Sequence, residues 1–237
     1  MHVLITSDTV GGVWTYTQEL VTGLVRGGHR LTLVSFGKLP FPHQTAWMQT
    51  LQGLDYRPTE YRLEWMEVAE KDIEESKHYL ELLIKEVQPD VLHFSQYCYG
   101  DIATDIPKIV VAHSDIVSWW VAVHGCEPDD TPWMRRYRET VSNGLRGADV
   151  VMVLRVQRER LAGLKLSLPD YISRYQITMT RLRLAKNDAL LMHPGPIIRG
   201  LEITWDVADC PQSVIVEEVK NGVPLRMAVL ARALGKN

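Results

Sequence analysis

The apolar positions arrive in short blocks separated by longer stretches of helical spacing. Val3-Leu4-Ile5 is a compact apolar run followed by small and polar residues, Thr6 to Gly12. Val13, Trp14, Leu20, Val21, Leu24 and Val25 then recur at three- and four-residue intervals, the period of a helix with one buried face. Gly27-Gly28 ends that helix, and residues 31–36 form a second apolar strand. This βαβ opening predicts a parallel sheet with helices on both faces. Further on, the spacing predicts a helix over 64–87 stopped by Pro89, strands at 91–94 and 108–112, and a helix over 133–145. A short edge strand is expected near 54–57.

Residues 147–157 organise the remainder. Gly147-Ala148-Asp149 reads as a turn, the apolar residues after it as a buried strand, and Arg155 and Gln157 as polar residues at its carboxyl end. Open α/β sheets place ligands at that end. Beyond it the pattern predicts helices starting at 168 and 179, a strand at 189–192 and a long helix over 213–234, despite Gly222 and Pro224. No Pro/Gly-rich linker divides the chain. The expectation is therefore one Rossmann-like domain over 1–237: a single doubly wound parallel sheet of about seven strands, order 3-2-1-4-5-6-7, with the last helix packing back on the front segment.

Composition narrows the function. Apolar residues make up 46% and charged residues 23% of the 237, enough for an ordinary core. The net charge of −3 gives no electrostatic footprint for nucleic acid or an anionic membrane, so neither is expected as a partner. Cys98, Cys126 and Cys210 form neither a disulfide framework nor a zinc motif, which suggests a reducing, cytoplasmic setting. The chain opens directly on a strand, without a leader pattern, and has no apolar run of membrane-spanning length. No cofactor or metal is expected. The expected partner is at most a weakly bound small molecule at the strand carboxyl ends.

The segment TSDTVGGVW over 6–14, with residues 27–34, 89–93, 109–115 and 147–149, resembles in order and spacing the N-terminal domain of the group-1 glycosyltransferases of GT-B architecture. In that family two Rossmann-like domains face each other across a cleft, one holding the acceptor and the other the nucleotide sugar. The resemblance implies that Gly11 and Gly12 let backbone approach a donor diphosphate, and that His113 faces a sugar. Elementary physics agrees for the glycines, since they lack a Cβ and precede a helix N-terminus that attracts anions. The alternatives are a tight turn with no ligand and a strand-end histidine bonded to backbone. His93 has the same two readings, with the backbone-bonded one favoured; Trp119 and Trp120 either stack on a sugar ring or fill core space, with packing favoured. Nothing after Val150 resembles the family's nucleotide-sugar domain.

From about residue 149 the resemblance changes. Residues 151–160, the run ALLMHPGP over 189–196, Arg199 to Ile203 and residues 207–230 are similar to the C-terminal part of the aspartate carbamoyltransferase catalytic chain. That family would bind aspartate carboxylates with Arg155 and Gln157, guanidinium pairing bidentately with carboxylate. Its Pro194-Gly195-Pro196 turn would present carbonyls to the substrate. The family's carbamoyl-phosphate segments are absent, leaving a developing oxyanion without partners. Ile198 and Trp205 stand where the family pattern has polar residues, and with Ile177 and Met179 they read as packing changes at a new interface. Two transferase resemblances meeting inside one strand point to an engineered chimeric scaffold with two incomplete sites and no catalysis. The alternatives are a sugar or nucleotide-sugar binding enzyme using Gly11, Gly12 and His113, and a residual aspartate or phosphate site using Arg155, Gln157, Pro194, Gly195 and Pro196.

Overall fold

The computed structural model describes residues 1–111, 113, 116–117, 120, 124–153 and 168–233. The chain divides into two compact units, Met1–Trp119 with Glu127–Asp149, and Trp120–Cys126 with Val150–Asn237.

The first unit is built on five parallel strands: β1 (His2–Asp8), β2 (Arg30–Phe36), β3 (Leu54–Pro58), β4 (Val91–Phe94) and β5 (Lys108–Val110). Their order is β3-β2-β1-β4-β5. Side chains alternate across a strand, and here the alternation separates two cores. Val3, Ile5, Leu31 and Leu33 pack with Trp14 and Val21 of α1 (Gly11–Arg26) on one face. On the other, Leu4, Val34 and Phe36 pack with Leu80, Leu83 and Ile84. Those three come from the helix Glu70–Val87, which follows the short α2 (Pro42–Thr45) and is therefore α3. This is the arrangement, helices on both faces of a parallel sheet, that the βαβ opening predicts.

Helix α3 begins six residues later than its predicted start at Glu64. Glu64 is instead buried, its two carboxylate oxygens accepting from the backbone N–H of Tyr97 at 3.1 Å and of Cys98 at 2.7 Å. It thereby holds the 3₁₀ turn Tyr97–Tyr99. Helix α4 (Pro132–Arg146) crosses this turn at backbone contact distance. A Cβ on Gly100 would lie 2.6 Å from the carbonyl oxygen of Gly144, and Cβ atoms on Gly144 and Gly147 would strike the carbonyls of Tyr97 and Gly100.

The second unit holds β6 (Val150–Met152) and β7 (Leu190–Met192), parallel and paired Val150↔Leu190 through Met152↔Met192. Its helices are α5 (Leu168–Tyr175), α6 (Met179–Leu182), α7 (Trp205–Ala208) and α8 (Ile215–Ala233). Leu182, Leu191, Ile203, Val207 and Ile215 are the centre of its core, against which Val151, Ile177 and Met179 pack. Helix α8 runs through Pro224.

The expectation of one seven-stranded sheet is corrected: among the described residues there are five strands in one sheet and two in another. At the seam the Lys108 N–H donates to Asp149 Oδ2 at 3.0 Å, and β6 pairs with β7. Trp205 is 67% exposed, with the Arg199 guanidinium 5.2 Å over its ring.

Candidate functional site

The carboxyl ends of β1, β4 and β5 open into a cleft of about 260 Å³ in the first unit. Asp8, Glu64, Ser95, Gln96 and His113 supply its polar lining. Val13, Leu63, Trp65, Ile116 and the Tyr137 ring supply its apolar walls.

The polar floor is assembled from strand ends. Thr6 on β1 donates to Gln96 Oε1 at 2.6 Å and accepts from the Ser95 N–H at 3.1 Å, which fixes the start of the loop after β4. Gln96 is 4% exposed, yet its amide nitrogen has no partner, and neither do Ser95 Oγ and His113 Nε2. Buried polar atoms are nearly always hydrogen-bonded, because an unmade bond costs about 1–3 kcal/mol. All three atoms belong to residues that line the cleft.

Tyr16 of α1 links the histidines. Its hydroxyl lies 3.2 Å from His93 Nε2, and its ring meets the His113 ring edge-on at 4.8 Å. Burial lowers the pKa of His113, and lowers that of His93 to about 4. Burial also raises Asp8, against the opposing bond from the Val10 N–H to Asp8 Oδ1 at 2.9 Å.

Of the sequence-derived sugar site, His113 lines the cleft, and Gly11 and Gly12 lie in the chain between the lining residues Asp8 and Val13. Gly11 has φ of 57°, a left-handed conformation that explains a glycine there although a Cβ would meet nothing within 4 Å. The N-cap residue Val10 offers no side-chain cap to the start of α1, and no acidic residue lies in its first turn. Asp8, Tyr16, Gln96 and Glu64 escaped sequence reasoning. A polar residue directly after an apolar strand run was the available signal for Asp8 and Gln96. Trp119 lies outside the described residues, while Trp120, in the second unit, sits with its ring 4.4 Å from that of His124.

In the second unit Arg155 and Gln157 lie outside the described residues. Pro194 and Pro196 are exposed on a turn with Gly195 at φ 63°. Beneath it His193 and Glu202 are fully buried, Nε2 to Oε1 3.4 Å apart. His193 Nδ1 accepts from the Gly195 N–H at 2.9 Å, and Glu202 Oε1 accepts from the Ile198 N–H at 2.5 Å. This pair holds the turn in shape.

The buried His93 carries a pH prediction. Its folded pKa of about 4 lies below the ordinary 6.5, so the unfolded chain binds the extra proton between these values. Stability is present in full above about pH 6.5 and is lost as pH falls towards 4, by up to about 3 kcal/mol. Urea unfolding at pH 7, 5.5 and 4.5 should show this slope, and His93→Gln should flatten it.

Among the described residues no three His, Cys, Asp or Glu side chains are grouped to hold a metal ion, and no helix is long and apolar enough to cross a membrane.

Comparison with known proteins accounts for both halves. The aspartate carbamoyltransferase catalytic subunit of Koribacter versatilis (strain Ellin345) is 58% identical over 97 residues, covering 41% of this chain and 32% of that subunit. That of Rhizobium meliloti (strain 1021) is 50% identical over 96 residues, covering 40% and 31%. These matches fall in the C-terminal part, and the chain spans about a third of the length of the curated relatives it matches. Among solved structures, TcCGT1 in complex with UDP aligns with a TM-score of 0.49 at 15% identity, over 84% of this chain and 51% of that one. The family model "Aspartate/ornithine carbamoyltransferase, Asp/Orn binding domain" matches residues 134–233. The model "Glycosyltransferase Family 4" matches residues 10–163, more than half of the chain, and the two matches overlap across the seam. The chain thus belongs to glycosyltransferase family 4, while its residues 134–233 are similar to the carbamoyltransferase Asp/Orn binding domain.

Proposed function

We propose that this chain is a chimeric α/β scaffold, formed by an engineered join, whose remaining function is to bind a hydroxyl-bearing sugar ligand in the first unit's cleft without transferring it. The observation that carries the reading is the set of three unpartnered polar atoms, on Ser95, Gln96 and His113, around one cleft. Transfer needs a leaving group held and its charge stabilised in line with the acceptor. The sequence after the seam follows a carbamoyltransferase pattern rather than a nucleotide-sugar one. The Gly11-Gly12 helix start is an anion-attracting feature, but one feature does not make a constellation.

The test is a calorimetric titration with a neutral hexoside, paired with a turnover assay using nucleotide sugars. Saturable heat that disappears in Gln96→Leu, with no sugar transfer, supports the reading. Sugar transfer above the uncatalysed rate overturns the non-catalytic part, and binding unaffected by Gln96→Leu overturns the site. A second reading, a carboxylate ligand at Pro194, Gly195 and Pro196 with Arg155 and Gln157, draws support from the buried His193–Glu202 pair that shapes the turn. Saturable binding of a bisubstrate analogue of carbamoyl phosphate and aspartate would favour it.

A further inference from the structure

The lining of the first unit's cleft also specifies the kind of sugar. Resting on the reading of that cleft as a sugar site, we infer that its ligand is an uncharged hexoside carrying an apolar or aromatic aglycone, and not a sugar phosphate.

The first argument is charge. Among the described residues that line the cleft none is a lysine or arginine. Of these described residues His113 is the one side chain able to become cationic, and burial lowers its pKa, which keeps it neutral at pH 7. Two lining residues, Asp8 and Glu64, carry carboxyl groups. Both Glu64 oxygens already accept backbone hydrogen bonds, so Glu64 is an acceptor and a negative charge, never a donor to an anion. An anion inside the cleft would lose water, find no cation among the described lining residues and face the Glu64 carboxylate. The start of α1 adjoins the lining residues Asp8 and Val13, but Gly11 and Gly12 are exposed and water screens them.

The second argument is the complement of donors and acceptors. Gln96 Nε2 is an unpaired donor, whereas Ser95 Oγ can give and take, and His113 Nε2 does one or the other according to its tautomer. That mixture suits hydroxyl groups, which themselves do both. Phosphate oxygens accept only and would leave the accepting capacity of Ser95 Oγ unused.

The third argument is shape. Trp65 lines the cleft while remaining 39% exposed, presenting part of a flat indole at its opening. Val13, Leu63 and Ile116 continue the apolar wall. Indole surfaces stack on sugar C–H faces and on aryl groups. A volume of about 260 Å³ accommodates one sugar ring, with its aglycone directed along the Trp65 wall.

The test compares 4-nitrophenyl β-glucoside, methyl β-glucoside and glucose 6-phosphate on the full chain, by calorimetry and by saturation-transfer NMR, which detects millimolar binders. The aryl glucoside should bind at least tenfold more tightly than the sugar phosphate. Trp65→Ala should weaken the aryl glucoside about tenfold while changing methyl β-glucoside less than threefold, and Trp65→Phe should restore most of the loss. Circular dichroism establishes that each variant is folded. Glucose 6-phosphate binding as well as the aryl glucoside, and lost in Gln96→Leu, overturns this inference and leaves the sugar site standing. Absence of binding by all three sugars overturns the site itself and the inference with it.

Discussion

Alanine at Gly144 is expected to destabilise the first unit by about 3 kcal/mol, whereas the same change at Gly23 should stabilise it by about 0.5–1 kcal/mol. Both glycines lie within helices, where alanine is intrinsically favoured by up to about 1 kcal/mol. At Gly23, exposed on α1, a new Cβ meets nothing within 4 Å, so propensity acts alone. At Gly144 the Cβ would enter the backbone carbonyl of Tyr97, and the Gly144 carbonyl is itself packed against Gly100. Backbone cannot move aside as a side chain can. The Tyr97 turn is further pinned by its bonds to Glu64, so α4 or the turn would have to shift as a whole. Overpacking of this kind costs about 1–3 kcal/mol and sometimes more, which exceeds the propensity gain. Denaturant midpoints of the two variants should move in opposite directions. A Gly144→Ala midpoint at or above that of the parent chain would show that the close crossing does not exist in solution.

The contrast between these glycines also shows what a single sequence can convey. The pattern around Gly23 and that around Gly144 look alike, since each glycine interrupts an amphipathic helix. What separates them is a contact with residues more than forty positions away. Strands β1, β2 and β4 were legible because their side chains are buried on both faces, leaving continuous apolar runs. The spatial order β3-β2-β1-β4-β5 followed from right-handed crossovers and the one short edge strand. The pairing of β6 with β7 agrees with the expected order, but that these two strands form a sheet of their own was not legible. Three-residue strands carry almost no periodicity, and nothing local signals that Asp149 takes a donor of β5. The site divides in the same way. Gly11 and His113 stood out through a turn and a strand end. Tyr16 was hidden inside α1 as one more amphipathic position, and its meeting with His93 and His113 depends on tertiary packing.

Glu64 shows how far such a reading can mislead, and it carries the other large expected effect. On spacing alone it opens a charged helix and belongs in solvent; in the structure it is 6% exposed, with its carboxylate spanning two consecutive backbone N–H groups. Glu64→Leu would keep most of the volume and remove both acceptors. Two buried donors left unpaired cost about 1–3 kcal/mol each, and the added apolar burial returns about 1–2 kcal/mol, so a net loss of about 2–4 kcal/mol is expected. Glu64→Gln retains one acceptor and turns an amide NH₂ towards the other donor, so it should recover only part of the loss. Hydrogen exchange gives the local readout: the amides of Tyr97 and Cys98 should lose protection in Glu64→Leu ahead of those in β1 and β2. The effect should reach ligand binding as well, since Ser95 and Gln96 directly precede the turn and place unpaired groups on the cleft. A Leu variant unfolding within about 0.5 kcal/mol of the parent, with both amides still protected, would mean that the carboxylate does not hold the turn, and the cleft floor would need another support.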